Sequence, residues 1–207
     1  MDQDTDDAAR INGPAPGGLG LLIIDMINDL AYRGSEPLVA SAKTIVATVL
    51  ELRDQADRLK IPVVYVNDNF GQWHSERARL VDHARRPEAP ARDIVERLAP
   101  RAGDYFIIKP QFSGFFATNL QVLLPKLGVR RLVLVGMAAD ICVLFTAADA
   151  HMRGYDLWIP ADAVAGEDAK RTTWALEIMR ASMGARIAVI QGGGLSDWRE
   201  DAPDPPG

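Results

Sequence analysis

Asp25, Lys109 and Cys142 each lie at or just beyond the end of a short apolar run of Leu, Ile, Val and aromatic residues. Together these side chains could perform nucleophilic catalysis. A carboxylate can take the thiol proton, a lysine can favour the anionic forms of its neighbours, and the sulfur can attack a carbonyl carbon. The pattern predicts an active site wherever the fold brings the three together.

Cys142 is the only cysteine, and it lies where an apolar strand is predicted to turn into a helix. Free N–H groups and the dipole at a helix start favour thiolate over thiol. Taken singly, Cys142 could be a small buried hydrophobe, Asp25 a cap and Lys109 a surface residue. Because all three occur at strand ends, we favour the catalytic interpretation.

The elements that must position these residues are short β-type runs that alternate with segments of helical period. Continuous apolar runs are typical of strands buried on both faces. We therefore expect an α/β fold: a Rossmann-like, open, mostly parallel six-stranded sheet with helices on both faces. In such folds ligands bind outside the carboxyl ends of the strands. The predicted strands are Leu19–Asp25, Pro62–Asn67, Tyr105–Lys109, Arg131–Gly136, Asp156–Pro160 and Ile187–Ile190.

The clearest helix has apolar residues three and four apart from Leu38 to Leu59, with Arg53 as the one polar member of the stripe. Such a stripe must cover a sheet. Cap residues and breakers delimit the others. Further helices are predicted from Thr118 to Gly128, from about Ile141 to Gly154, from about Asp168 to Ser182, and, as a short one, over Ala91–Leu98.

The chain divides into one predicted folded domain, residues 19–191, between two polar ends rich in Gly, Pro and Asp, residues 1–18 and 192–207. We expect both ends to be flexible. The segment 68–100 fits the alternation poorly. It is interpreted as an insertion that forms a lid or a partner surface, and the alternative is a solvated crossover with one short helix.

Composition excludes several classes. A chain of 207 residues with 48% hydrophobic and 25% charged residues fits one globular domain. The net charge of −5 argues against nucleic-acid binding, and no apolar run approaches the length of a membrane span. A single cysteine excludes an intrachain disulfide. We expect a cytoplasmic protein that acts on a small molecule, with no nucleic-acid or membrane partner.

In these strand-end residues and their neighbours the chain resembles the isochorismatase-like cysteine hydrolases. This family includes nicotinamidases, N-carbamoylsarcosine amidohydrolases and ureidoacrylate amidohydrolases. The residues that carry the resemblance occur in family order over about 19–190. Three separate motifs in order are far more specific than one short pattern. They are Leu21–Leu30, Lys109–Leu120 and Gly136–Ala150, and the similarity continues from Gly154 to Val164.

The resemblance implies an isochorismatase-like three-layer α/β/α fold with Asp25 as general base, Lys109 as electrostatic partner and Cys142 as nucleophile. It also implies a cis peptide between Met137 and Ala138, and an oxyanion hole formed by the N–H groups of Ala138 and Cys142. Relatives are usually homo-oligomers, so a dimer or tetramer is expected.

Two departures bear on the substrate. Nicotinamidases carry a metal site with an Asp-x-His pattern, whereas this chain has Phe70 in the place of that histidine, two residues after Asp68. Neutral imidazole is the ligand that such a site needs. We therefore expect no metal, no other cofactor and no nicotinamide substrate. Ala139 stands where many relatives have threonine, so substrate contacts near the cysteine must differ.

The sequence thus favours a metal-independent hydrolase of a linear amide, carbamoyl or ureido C–N bond, acting through a Cys142 thioester. The enzymatic alternative is vinyl-ether hydrolysis of an isochorismate-like substrate, which needs no thiol nucleophile. The non-enzymatic alternative is a binding or assembly module with a redox-sensitive thiol. Candidate substrate-binding residues, which could equally be core, are Phe70, Trp73, Phe112, Phe115 and Met137.

Overall fold

The computed structural model describes residues 15–71, 76–190 and 194–200. Within them lie strands β1 (Leu19–Ile24), β2 (Val63–Asp68), β3 (Tyr105–Lys109), β4 (Arg131–Met137), β5 (Asp156–Trp158) and β6 (Val164–Ala165). The α-helices are α1 (Glu36–Leu59), α2 (Arg77–Ala84), α3 (Arg92–Leu98), α4 (Leu120–Lys126), α5 (Leu144–Met152), α6 (Ala169–Met183) and α7 (Leu195–Glu200). A 3₁₀ turn covers Pro16–Gly18, and a π-helical turn covers Ala139–Val143.

The strands form one parallel six-stranded sheet in the order β3-β2-β1-β4-β5, and β6 pairs with β4. Successive side chains of a strand point to opposite faces. On β1, Leu21 and Ile23 enter the core beneath α1, while Leu22 and Ile24 enter the core beneath α4 and α5. Helices cover both faces, so the predicted fold class is confirmed.

Helix α1 forms where the apolar spacing predicts it, with Pro37 in its first turn and a left-handed Lys60 after its last residue. Proline is favoured in the first turn because no helical N–H is lost there. This helix carries the longest apolar stripe. Among the helices that the structure describes, none has the length and apolar composition needed to cross a membrane.

The predicted sixth strand at Ile187–Ile190 is wrong. Residues 187–190 run beside the end of β5, but only Arg186 bridges to Trp158, and the Trp158 indole donates to the Ala188 carbonyl at 2.8 Å. The sixth strand is instead β6. With two residues it is too short to produce a β-type apolar run, so sequence periodicity could not reveal it.

The predicted flexible ends also need correction. Residues 195–200 form helix α7, whose Leu195 and Trp198 are buried against the α1 side of the sheet. The Leu195 N–H donates to the Gln55 side chain at 2.8 Å. At the other end, Ala15 is buried and its N–H donates to the Leu127 carbonyl. The remaining parts of both predicted ends, residues 1–14, 192–193 and 201–207, lie outside the described residues.

The segment 68–100 contains two helices, α2 and α3, where one short helix was expected. Ile94, Val95 and Leu98 of α3 are buried in the core beneath α1. The Ala91 N–H donates to the carbonyl of Asp29, in the loop after β1. The distal half of this segment is therefore a packed layer of the domain rather than a solvated loop.

Candidate active site

Asp25, Lys109 and Cys142 meet at the carboxyl edge of the sheet. Asp25 follows β1, Lys109 ends β3, and Cys142 lies in the π-helical turn after β4. The Lys109 Nζ is 2.9 Å from Asp25 Oδ2 and 3.4 Å from Cys142 Sγ. The structure thus brings together the three residues predicted from the strand ends, with the lysine ammonium contacting both of the others.

The Asp25 carboxylate is held at both oxygens. Oδ2 accepts from the Lys109 ammonium, and Oδ1 accepts the Asp68 N–H at 2.7 Å. The Asp25 backbone is in the left-handed region with φ 53°, although its N–H still donates to the Val66 carbonyl of β2. This conformation turns the chain away from the sheet at the residue that carries the carboxylate.

Lys109 is fully buried, with 0% of its side chain exposed. Burial alone would lower the pKa of this ammonium, but Asp25, the Cys142 sulfur and Asp68 surround it and raise the pKa above the ordinary lysine value. Asp68 Oδ2 lies 3.5 Å from the Lys109 Nζ. The lysine therefore stays charged, which makes it a fixed positive centre for the site.

The surroundings of Cys142 favour the neutral thiol, whereas the helix start was predicted to favour the thiolate. Burial first and the Asp25 charge second raise the pKa of Cys142 to about 12, and Lys109 only partly opposes them. Burial likewise raises the pKa of Asp25, again opposed by Lys109. Because the thiol hydrogen-bonds the carboxylate, a thiolate at this position can form by proton transfer to Asp25.

Asp68 is a site residue that the sequence reasoning missed. It ends β2 and lies in register with Lys109 of β3. Its Oδ1 accepts the Phe70 N–H at 2.7 Å, Oδ2 faces Lys109, and 30% of the side chain is exposed. The signal was available, because Asp68 also follows an apolar strand, as Asp25 and Lys109 do.

The turn that presents Cys142 has the cis peptide between Met137 and Ala138 that the resemblance implied. The Ala138 carbonyl accepts the N–H groups of Ile141 and Val143, which closes the turn. One residue before Met137, Gly136 has φ 111°, and a Cβ built there would overlap the Ile24 carbonyl of β1. Only glycine permits this close approach of β4 to β1 next to the site.

The loop that follows Lys109 is tied to the helix that follows Cys142. Ser113 Oγ donates to the Asp149 carboxylate, and the Gly114 N–H donates to Thr146 Oγ1 at 3.0 Å. Ser113 and Thr146 are buried. These bonds hold the β3 end and α5 in a fixed relation, so they fix the relative position of the lysine and the cysteine.

The predicted pocket residues separate into two groups. Phe112 and Phe70 are exposed, and the Phe112 ring lies 5.6 Å from that of Phe145, which the prediction omitted. Phe145 follows Cys142 by about one helical turn, and this spacing could have identified it. Phe115 and Met137 are buried in the two core clusters, so their assignment to the pocket is wrong. Trp73 lies outside the described residues.

Sequence spacing could not separate these groups, because aromatic and apolar residues recur at the same spacing in a core and in a pocket. The Phe115 ring packs 6.0 Å from Tyr155, beyond the far end of α5. A cavity of about 440 Å³ lies elsewhere, between the loop after β1 and the start of α1, lined by Leu30, Tyr32, Val39 and Pro90 among others. None of its lining residues belongs to the Asp25, Lys109 and Cys142 set.

The donor set in the described part of the chain, at Asp68 and Phe70, does not fit the metal site of the nicotinamidase pattern. Phe70 supplies no ligand atom, Asp68 Oδ1 is occupied by a backbone N–H, and Asp68 Oδ2 faces an ammonium. An ammonium in this position would repel a divalent cation. In the part of the chain that the structure describes, no group of three His, Cys, Asp or Glu side chains is arranged to hold a metal ion.

Comparison with known proteins adds three findings. Residues 20–191 match the isochorismatase domain. The chain is 37% identical over 167 residues to the uncharacterized isochorismatase family protein YaaI of Bacillus subtilis, a match that covers 81% of this chain and 91% of that protein. It is 30% identical over 175 residues to the ureidoacrylate amidohydrolase RutB of Serratia proteamaculans, covering 72% of this chain and 70% of that protein.

Among solved structures, the fold is similar to that of N-carbamoylsarcosine amidase from Thermoplasma acidophilum, with a TM-score of 0.64 and 29% identity. That match covers 84% of this chain and 99% of the other.

Proposed function

The chain belongs to the isochorismatase family of hydrolases, and from that premise we propose that it cleaves a linear amide, carbamoyl or ureido C–N bond through a Cys142 thioester, without a metal. The observation that carries this proposal is the contact of one buried ammonium, Lys109 Nζ, with both Asp25 Oδ2 and Cys142 Sγ. A base, a nucleophile and a fixed cation in mutual contact form the minimal machinery for acyl transfer to sulfur.

In the first step, Asp25 takes the proton from Cys142 as Sγ attacks the carbonyl carbon of the substrate. The S–C bond forms, the carbonyl π electrons move to oxygen, and the oxyanion is stabilised by the N–H groups of Ala138 and Cys142. Removing one such donor typically slows acyl transfer by about 10² to 10³. The intermediate then collapses, the C–N bond breaks, and the leaving nitrogen takes the proton held by Asp25.

In the second step, water attacks the thioester carbonyl while Asp25 takes a proton from it. The C–S bond breaks, Cys142 regains its proton, and the acid product leaves. Lys109 keeps its charge throughout, because it stabilises the sulfur anion and the Asp25 carboxylate in turn. The raised pKa values of all three groups are consistent with one proton passing between Asp25 and Cys142 beside a permanent cation.

The relatives support the reaction class. Two of them, an N-carbamoylsarcosine amidase and a ureidoacrylate amidohydrolase, are named for C–N bond hydrolysis. The donor set at Asp68 and Phe70 favours chemistry that relies on the thiol rather than on a metal-bound water.

A substrate panel with an active-site control tests the proposal. Small aliphatic amides, carbamoyl compounds and ureido compounds are incubated with the wild-type protein and with Cys142→Ala, and ammonia release is measured. Acid quenching during turnover, followed by intact-mass measurement, detects a covalent acyl adduct. We expect ammonia release and an adduct for the wild type alone.

Equal ammonia release by Cys142→Ala would refute the thioester route. A vinyl-ether substrate is assayed beside the panel, and its hydrolysis, unaffected by Cys142→Ala, would instead support the isochorismatase-type reaction. No turnover of any member would leave the binding-module alternative as the better account.

A further inference from the structure

We infer that Asp68 is a specificity-determining residue whose carboxylate selects substrates that are neutral or positively charged near the scissile bond and disfavours anionic ones. This inference rests on the proposed function, since it names the substrate class of the same site. It is carried by the position of a second, partly exposed carboxylate beside the Asp25, Lys109 and Cys142 set.

The orientation of Asp68 is fixed by the backbone around it. Its Oδ1 accepts the Phe70 N–H, and its own N–H donates to Asp25 Oδ1. Oδ2 therefore faces the Lys109 ammonium, at 3.5 Å, at the limit of hydrogen-bond distance. Asp25, by contrast, is almost completely buried. Asp68 is thus the carboxylate of the pair that offers unused acceptor capacity to a molecule entering from solvent.

The charges of the site do not balance. Two carboxylates, Asp25 and Asp68, surround one ammonium, Lys109, and the thiol is neutral at rest. When Asp25 takes the thiol proton, the negative charge moves to sulfur, so the site keeps one excess negative charge at every stage of proton transfer. In a partly desolvated site an uncompensated charge repels an anion strongly.

The neighbouring cation does not compensate this excess. Arg171 lies at 2.5 Å from Asp140, a carboxylate two residues before Cys142, and the two form a pair of their own. A substrate group that fits this environment is an N–H donor or an ammonium near Asp68, whereas a carboxylate in the same place would be repelled by Asp68.

Because the chain has one cysteine, the rate of thiol alkylation reports the effect of the excess negative charge without any turnover. We compare the alkylation rates of Cys142 by neutral iodoacetamide and by anionic iodoacetate, each divided by the rate for glutathione. The variants are Asp68→Asn, which removes the charge, and Asp68→Glu, which retains it. Asp54→Asn, on an exposed position of α1, is the matched control for net charge.

We expect the wild type to favour iodoacetamide over iodoacetate more than glutathione does. Asp68→Asn should reduce that preference about tenfold, the size expected for a unit charge acting over a few ångströms in a partly solvated site. Asp68→Glu and Asp54→Asn should retain it. An unchanged preference in Asp68→Asn, or an equal change in Asp54→Asn, would overturn the inference.

If Asp68→Asn does not fold, the inference is tested by the salt dependence of the two alkylation rates of the wild type. Added NaCl should increase the rate of alkylation by iodoacetate relative to that by iodoacetamide, because salt screens the repulsion. A ratio of the two rates that does not change with salt would contradict the inference.

Hydrolysis gives the second measurement. Butyramide, the cationic β-alaninamide and the anionic succinamate are compared by kcat/KM, and we expect succinamate to be the poorest substrate of the wild type. Asp68→Asn should raise kcat/KM for succinamate relative to kcat/KM for butyramide by about tenfold. A lack of turnover of all three would count against the proposed function alone, because the alkylation ratio still reports on Asp68. Succinamate as the best wild-type substrate would overturn the inference.

Discussion

Lys109 at the carboxyl edge of the sheet and Arg53 beneath α1 are both buried cations, and their partners differ. Lys109 contacts Asp25, Asp68 and Cys142, all of which ionise. Arg53 of α1 donates only to neutral oxygens: the Tyr65 hydroxyl at 3.1 Å and the backbone carbonyls of Ala99 and Arg97 at 3.2 and 3.3 Å.

The difference lies in whether the partners of the buried cation can exchange a proton. The carbonyls that Arg53 binds lie at the carboxyl end of α3, where backbone oxygens lack helical partners. These carbonyls cannot exchange a proton, so the role of Arg53 is to hold α3 against α1 and β2. Around Lys109 a proton can move from sulfur to carboxylate while the cation stays fixed, so the same burial supports chemistry.

The strongest test of the comparison is Asp25→Asn. The amide cannot accept the thiol proton, so amide turnover should fall by about 10² to 10⁴. The same change removes the negative charge that raises the pKa of Cys142 and leaves Lys109 to lower it. Iodoacetamide should therefore alkylate Cys142 faster in Asp25→Asn than in the wild type at pH 7, although hydrolysis is lost.

Stopped-flow alkylation and steady-state hydrolysis measure the two effects on one preparation. Parallel loss of alkylation and turnover would mean that Asp25 orients the thiol without raising its pKa. Turnover within a few-fold of wild type would make Asp25 structural, like the partners of Arg53.

The pH profile of kcat/KM sharpens the same contrast. Burial raises the pKa of Asp25 above the ordinary 3.8, so the base becomes protonated as pH falls through that raised value. Activity should drop about tenfold for each pH unit below it. On the alkaline side Lys109 keeps its proton past the ordinary value of 10.5, and the pKa of Cys142 is about 12. A rise or fall centred near pH 8.5, the range of a free thiol, would contradict this proton arrangement.

Arg53→Met should act on stability and spare activity. It leaves two partly buried carbonyls and the buried Tyr65 hydroxyl without their donor, which costs about 2 to 3 kcal/mol in the free energy of unfolding. Urea denaturation measures the loss, and kcat should stay within about threefold of wild type. Arg58→Met, on an exposed position of the same helix, is the control and should change neither. A large fall in kcat for Arg53→Met would break the division between the two cations.

Tyr65→Phe should have the smallest effect. The Tyr65 hydroxyl donates to the Leu98 carbonyl at 2.7 Å and accepts from Arg53, so its removal costs about 1 to 2 kcal/mol. Burial raises the pKa of Tyr65 from 10 to about 12, so folding favours the neutral phenol. Wild-type stability should include a contribution that is complete below pH 10 and is lost as pH approaches 12. Denaturation of both proteins at pH 8 and pH 11 checks this, since Tyr65→Phe should lack that contribution.

The position of the candidate site could be predicted from the sequence because its three residues lie at strand ends. Apolar runs buried on both faces identify parallel strands, and the carboxyl ends of parallel strands share one edge, so Asp25, Lys109 and Cys142 had to meet. The same logic applies to Asp68, which the sequence analysis considered only as the first residue of a metal pattern that Phe70 interrupts.

Other features could not be predicted because they depend on tertiary contacts. The two-residue β6 exists through its pairing with β4, and α7 is held by burial of Leu195 and Trp198 against α1. The pKa of Cys142 also depends on tertiary structure. Its burial and the charge of Asp25 raise this pKa and outweigh the helix start, which favours thiolate.

Gly136 has a consequence for laboratory evolution of this protein. Any side chain at this position would overlap the Ile24 carbonyl and force β4 away from β1, and with it the cysteine from its base. A mutant library aimed at new substrates should therefore leave residue 136 unchanged and diversify the exposed Phe70, Phe112 and Phe145, where new side chains meet solvent. In this scaffold, these three exposed positions can vary, whereas the close pairing of β1 with β4 cannot.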